Sequence, residues 1–98
     1  MTTYEAQSAL SANMRDRRLA LELTQAGLSK RSGVALATLR RFEQTGAVSI
    51  ESLFKLMAVV GGLQEVIDAS APKKKTFSSI DDVLSGTSKP SRKRGTRK

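Results

Sequence analysis

The chain has 98 residues, of which 17 are Lys or Arg and nine are Asp or Glu, so its net charge is +8. A chain this short forms one domain at most and buries only a small core, so we expect it to gain stability by forming a homodimer. Cysteine and histidine are both absent, which removes disulfides, the usual zinc ligands and the commonest catalytic groups, and we therefore predict no metal, no cofactor and no enzymatic activity.

The first predicted element is a helix over residues 4–22. Its apolar residues recur at helical spacing and would cover the segment that follows; they are Leu10, Met14, Leu21 and Leu23. The N-terminus, MTTYEAQ, lacks a basic start followed by an apolar segment, and no apolar run approaches the length of a membrane span. We therefore expect a cytoplasmic protein with no membrane partner.

Residues 23–46 have the layout of a DNA-reading helix-turn-helix, with two short helices joined by a glycine turn. Thr24 is the predicted N-cap of a helix over residues 25–31, because its hydroxyl can accept a hydrogen bond from a free amide of the first turn. Gly33 then ends that helix, since glycine adopts a left-handed conformation at little steric cost. The second helix is predicted over Leu36–Thr45.

The two helices of this segment share an apolar wedge and leave a basic face outside it. The predicted wedge residues are Leu28, Val34, Leu39 and Phe42. Arg40 and Arg41 would then face solvent on the second helix. An ordinary helical hairpin within a bundle is the alternative, but it does not explain two arginines on the free face.

A further helix begins after Ser49, a predicted N-cap, and is apolar nearly all round. Such a helix requires burial on more than one side, so part of it should close the core and the rest should form a dimer surface. The candidate dimer residues are Phe54, Met57, Val60, Leu63, Val66 and Ile67. The alternative is that all of them belong to the core of one monomer.

The net positive charge lies almost wholly in the C-terminal part of the chain. Residues 1–69 carry eight Lys or Arg against seven Asp or Glu, whereas residues 70–98 carry nine against two. We therefore predict a folded domain over residues 1–69, for DNA binding and dimerisation, and a disordered basic tail over residues 70–98. The basic runs of the tail fit DNA phosphates, although a merely solubilising role is the competing interpretation.

The middle of the tail has the pattern of a short helix that folds in a partner's groove. Its apolar residues would share one helical face; they are Phe77, Ile80, Val83 and Leu84. The alternative is a few apolar residues within a disordered segment, because two turns of helix are marginal alone.

The spacing of LTQAGLSKRSGVALATLRRFEQTG, residues 23–46, resembles the phage-repressor-like helix-turn-helix family, also called the XRE or Cro/C1 type. The resemblance implies an all-α, phage-repressor-like bundle of about five helices with a disordered basic C-terminal tail, bound to double-stranded DNA. It also implies that Gln25 contacts a phosphate, and that the recognition surface consists of Leu36, Ala37, Thr38, Arg40 and Arg41.

The same resemblance implies a structural salt bridge between Arg18 on the first helix and Glu43 near the end of the recognition helix. The alternative is an Arg18–Glu22 pair four residues apart, worth only ~0.3–0.5 kcal/mol. The sequence departs from the family pattern at Ala35, where a Ser or Thr cap is common, and at Leu36, where a polar base reader is common. Specific hydrogen bonding to bases would therefore depend mainly on Arg40 and Arg41.

A narrower resemblance follows from ATLRRFEQTGAVSIESLFKLMAVVGGL, the SIDDVL stretch and the basic C-terminus, which together look like the HipB-type antitoxins. That resemblance implies a homodimeric repressor of its own operon, which also binds a HipA-like serine/threonine kinase toxin. Because an isologous dimer is symmetric, we expect its operator to be an inverted repeat. A stand-alone phage-type repressor is one alternative function. A non-specific nucleic-acid-binding protein driven by its tail is another, and a protein that mainly binds and inhibits another protein is a third.

Overall fold

The computed structural model describes residues 1–73, which form five α-helices and no β-strand. The helices are α1 (Thr3–Ala20), α2 (Gln25–Ser32), α3 (Leu36–Thr45), α4 (Ile50–Val60) and α5 (Leu63–Ser70). α1 and α2 each pack against both α3 and α4, and α5 packs against α4. The predicted all-α class is therefore confirmed for the described residues.

α1 ends two residues before the predicted boundary at Glu22. Leu23 donates its backbone N–H to the carbonyl of Arg18 at 3.1 Å, and Glu22 donates to the carbonyl of Leu19 at 2.9 Å. Glu22 itself has a φ of 59°, in the left-handed region. This pair of hydrogen bonds around a left-handed residue is the Schellman ending of a helix, with glutamate in the place that glycine usually takes.

The early end of α1 changes the position of Leu21, which the sequence placed on the apolar stripe. Leu21 lies in the terminal turn and its side chain is 51% exposed, so that assignment is wrong. Leu10 and Leu23 are half-buried against the core, and Met14 is buried within it. Only Leu10 and Met14 of the predicted stripe therefore lie on α1 itself, and Leu23 reaches the core from the turn that follows the helix.

The core lies where α1, α2, α3 and α4 meet. Its centre consists of four fully buried side chains, which are Leu28, Leu39, Phe42 and Leu56. Val34, in the turn after α2, is 4% exposed and completes the wedge predicted from the sequence. All four wedge residues are thus buried, and burying a side chain of this size contributes about 1.5–3 kcal/mol to folding.

Two residues of the predicted dimer surface belong to this core instead. Met57 is 4% exposed and Val60 is 7% exposed, and both are members of the buried cluster. Both therefore agree with the alternative that these residues belong to the core of one monomer, because α4 turns the side that bears Leu56, Met57 and Val60 toward the rest of the core. No described helix is both long and apolar enough to cross a membrane.

Candidate nucleic-acid interface

The α2–α3 pair is held by short hydrogen bonds at its turn. Thr24 Oγ1 accepts from the N–H of Gly27 at 2.9 Å, which caps α2 as predicted. Gly33 has a φ of 80° and donates its N–H to the carbonyl of Ser29 at 3.0 Å. Ser29 Oγ in turn donates to the carbonyl of Val34 at 2.6 Å. The chain is therefore redirected from α2 into α3 within three residues, and hydrogen bonds hold the turn in place.

The exposed face of α3 contains both arginines that the sequence singled out. Arg40 and Arg41 are exposed, and neither takes part in an ion pair within residues 1–73. At 3.6 residues per turn, Ala37 and Gln44 lie two turns apart on the line between the arginines. Both are exposed. Gln44 was not among the predicted site residues, although its seven-residue spacing from Ala37 places it on the same face.

The N-terminal turn of α3 presents few polar groups. Leu36 and Thr38 are half-buried, and Ala35 occupies the N-cap position without any side-chain hydrogen bond. The first-turn amides of α3 consequently have no partner from a capping side chain. Long hydrogen-bond donors appear on this helix only from Arg40 onward.

A buried ion pair fixes α3 against α1. Arg18 Nε donates to Glu43 Oε2 at 2.8 Å, and Arg18 Nη2 donates to Glu43 Oε1 at 3.0 Å. The two side chains are 8% and 5% exposed. Arg18 Nη1 also donates to the carbonyl of Leu23 at 2.8 Å, so the guanidinium ties the α1–α2 loop into the same cluster. Glu22, the alternative partner, forms no ion pair within the described residues.

The pKa of Glu43 is lower than its ordinary value of 4.5. Burial is the largest single influence and raises this pKa, because it disfavours the charged carboxylate. Hydrogen bonds from Arg18 and Gln25, together with the charges of Arg18 and Arg15, outweigh that effect and lower the pKa. Glu43 is therefore ionised at neutral pH, and its charge is already neutralised within the fold.

Gln25, the predicted phosphate ligand, is bound into this cluster. Its Nε2 donates to Glu43 Oε1 at 3.0 Å, and the residue is half-buried at the start of α2. One carboxylate oxygen thus accepts from both Arg18 and Gln25. The cluster of Arg18, Gln25 and Glu43, here called the Glu43 cluster, joins α1, α2 and α3 at one point.

A cleft lies between α3 and the start of α4. It has a volume of about 370 Å³ and is lined by Thr38, Arg41, Ala47, Val48, Ser49 and Ser52. Ser49 is the N-cap of α4, and its Oγ accepts from the N–H of Ser52 at 3.1 Å. The cap was predictable from the sequence but the cleft was not, because the approach of Thr38 and Arg41 to α4 depends on the tertiary structure.

Local charge on the α2–α3 pair is strongly positive although residues 1–69 are nearly neutral. Residues 23–46 carry Lys30, Arg31, Arg40 and Arg41, and Glu43 is their only acidic residue. Since the carboxylate of Glu43 is paired with Arg18, the four cations face no free acidic group of their own segment. The α2–α3 pair is therefore the part of the domain where positive potential is concentrated.

The remaining predicted site residues fall into two groups. Phe54, Leu63 and Val66 are half-buried against the core, and Ile67 is 47% exposed. Ile50, which was not among the predicted dimer residues, is 68% exposed at the start of α4. The predicted docking residues Phe77, Ile80, Val83 and Leu84 lie outside the described residues.

Comparisons of this chain with protein-family models, with curated proteins and with solved structures found no match.

Proposed function

We propose that this protein is a sequence-specific DNA-binding transcriptional repressor whose α2–α3 pair is a helix-turn-helix. The observation that carries the proposal is the exposed face of α3, where Arg40 and Arg41 stand without intramolecular ion pairs within residues 1–73. A helix of this kind fits the major groove, and an arginine there can form two hydrogen bonds to the O6 and N7 atoms of one guanine.

The way in which α3 is covered favours DNA recognition over a purely structural role for the α2–α3 pair. A hairpin that served only to fill a bundle would present its second helix to another element. Here the inner side of α3 is already covered by α1 and α2, through Leu39 and Phe42 in the core and Glu43 in its cluster. The opposite side, with its two arginines, remains for a ligand.

DNA phosphates would meet the ends of two helices beside this face. The first turns of α2 and α4 leave backbone N–H groups without helical acceptors, and the positive end of the helix dipole lies there. The cleft at the start of α4 adds the guanidinium of Arg41 and the hydroxyls of Thr38 and Ser49. Such contacts set the position of the protein on the duplex, while the face of α3 supplies sequence information.

The proposed repressor acts as a homodimer on an inverted repeat. An isologous dimer places two copies of α3 on one side of the duplex, about one helical turn of 10 base pairs apart or a multiple of it. Footprinting on the operator tests this arrangement. Protection of a single asymmetric half-site by a monomer would contradict it.

The more specific proposal is that the repressor is the antitoxin of a HipA-like serine/threonine kinase and regulates its own operon. It rests on the sequence resemblance of residues 37–63 and of the tail. A gene for such a kinase next to this one, and co-purification of its product, would support the proposal. Replacing Phe77, Ile80, Val83 and Leu84 by Ser should then reduce capture of the kinase.

The DNA-binding proposal is tested with the duplex that lies directly upstream of the coding sequence. Fluorescence anisotropy of this duplex should give tight binding that survives an excess of random-sequence competitor DNA. The same titration at several salt concentrations measures how many phosphates are contacted. Equal affinity for the two DNAs would instead indicate non-specific binding.

A further inference from the structure

Gln25, which the family resemblance assigns to a phosphate, makes a hydrogen bond within the protein as a member of the Glu43 cluster. A glutamine that only contacted a phosphate would keep its amide free for the DNA. In this protein the Gln25 amide nitrogen is within 3.0 Å of Glu43 Oε1, inside a cluster whose other members are nine-tenths buried. In the structure, the Gln25 amide therefore forms a hydrogen bond within the protein.

The bond from Gln25 is a link between helices and not within one. Gln25 is the first residue of α2, and Glu43 is the eighth residue of α3. Arg18 holds the same carboxylate from α1, so the angle and distance between α2 and α3 are constrained at both ends of the pair. The turn at Gly33 fixes one end, and the Glu43 cluster fixes the other.

Glu43 lies on the same helix as the exposed face with Arg40 and Arg41, so the hydrogen bond from Gln25 acts on the helix that carries this face. Arg40 and Gln44 are its neighbours within one helical turn, on the exposed side of the same helix. A change in the placement of Glu43 therefore moves these side chains as part of a rigid helix. Base readout requires such side chains to meet base edges within hydrogen-bond distance, whereas phosphate contacts carry no sequence information.

We infer that Gln25 is a positioning residue for sequence discrimination: through its hydrogen bond to Glu43 it orients α3 so that the exposed face of this helix matches one base sequence. The inference rests on the proposed DNA-binding function. The positioning role and a phosphate contact predict different results. Loss of a phosphate contact weakens binding to all sequences alike, whereas loss of the orientation of α3 weakens binding mainly to the preferred sequence.

The test uses the full chain with Gln25→Met, which keeps the length of the side chain and removes its hydrogen-bond donors. The matched control is Gln64→Met on α5, where Gln64 Nε2 likewise donates to a carboxylate, Asp68 Oδ1, at 2.9 Å. Affinities are measured for the duplex upstream of the coding sequence and for a random-sequence duplex of equal length. Circular dichroism confirms that both variants remain folded at the temperature of the titrations.

Gln25→Met should weaken binding to the upstream duplex about 3- to 10-fold, and binding to the random duplex by less than about 2-fold. Gln64→Met should change neither affinity. Titration of the Glu43 carboxyl by NMR should show a higher pKa in Gln25→Met, since one of the hydrogen bonds that lower it is gone.

Equal losses on both duplexes would overturn the inference and assign Gln25 to a phosphate. Unchanged affinity for both duplexes would overturn it as well. If the wild-type chain binds neither duplex, both the proposed DNA-binding function and this inference are contradicted. If the wild-type chain prefers the upstream duplex and Gln25→Met loses affinity equally for both duplexes, only the inference about Gln25 is contradicted.

Discussion

Arg18 and Glu43 connect α1 and α3 across 25 residues of sequence by a two-point ion pair. The Nε to Oε2 and Nη2 to Oε1 distances are 2.8 and 3.0 Å. Both side chains are nearly removed from solvent, so each depends on the other for the neutralisation of its charge. This pair, with Gln25, links the first three helices at one point beside their apolar core.

Removing the charge of Glu43 should therefore destabilise the fold strongly. Breaking a buried ion pair from one side leaves the other charge without a partner, and Glu43→Gln should lower the free energy of unfolding by about 3–5 kcal/mol. Glu22→Gln is the matched control, because Glu22 is the other acidic residue within reach of Arg18 in the sequence. As an exposed substitution it should stay within about 0.5 kcal/mol of wild type. Urea denaturation of both variants compares them, and equal losses would contradict the assignment of Arg18 to Glu43.

The lowered pKa of Glu43 predicts a loss of stability in acid. Because the pKa is lower in the folded state than in the unfolded chain, the stabilisation is complete above the unfolded value, near 4.5. It is lost as the pH falls from there through the folded pKa, where the carboxylate is protonated and the ion pair ends. Urea unfolding between about pH 7 and pH 3 measures the trend, and NMR titration resolves Glu43 from the other carboxyls. A Glu43 pKa at or above 4.5 in the folded protein would contradict this prediction.

At least one of Arg40 and Arg41 should contact a guanine in the major groove. Replacing that arginine by Ala should weaken binding to the preferred duplex by about 1–3 kcal/mol and relax the preference at one base pair. Lys55→Ala on α4 is a control, since it removes an exposed cation that pairs with Glu51. Affinity selection from a randomised duplex pool measures the preference. If both arginine variants kept wild-type affinity and preference, α3 would not be the reading helix.

Residues of α4 and α5 should separate into a core group and a dimer group. Val60→Ser places a polar group in the core at 7% exposure and should unfold much of the protein at room temperature. Ile67→Ser changes a side chain that is 47% exposed, so the fold should persist while the dimer dissociates at a higher protein concentration than in wild type. Sedimentation equilibrium and thermal melting compare the two variants. Unchanged self-association in Ile67→Ser would exclude this part of α5 from the dimer surface.

Removal of residues 74–98 should separate general affinity from sequence preference. This cut follows α5 and takes away eight Lys or Arg and two Asp. Binding should weaken for all DNA alike, with a shallower salt dependence, because the slope falls by about 0.9 for every phosphate that the protein no longer neutralises. The ratio of affinities for the upstream and random duplexes should be unchanged. A fall in that ratio would place part of the base readout in the tail.

Local features of the sequence were sufficient to predict the α2–α3 pair. Thr24, Gly33 and the range Leu36–Thr45 have the predicted roles, since caps and left-handed turns depend on residues a few positions apart. The wedge residues were also predicted correctly, because α3 is strongly amphipathic and has one apolar side to bury. The outward position of Arg40 and Arg41 follows from the same periodicity.

The sequence by itself thus determined the α2–α3 pair and the face of α3 that stays exposed, because both depend on contacts within about two helical turns. Tertiary structure alone decided which acidic residue pairs with Arg18, since Glu22 and Glu43 both satisfy its charge and only packing brings Glu43 to 2.8 Å. It also decided which apolar residues of α4 enter the core, because Phe54, Met57 and Val60 fitted a core or a dimer surface equally well until α4 packed against α1 and α2. The same packing brings the Gln25 amide to Glu43 Oε1, and the resulting hydrogen bond links α2 to α3.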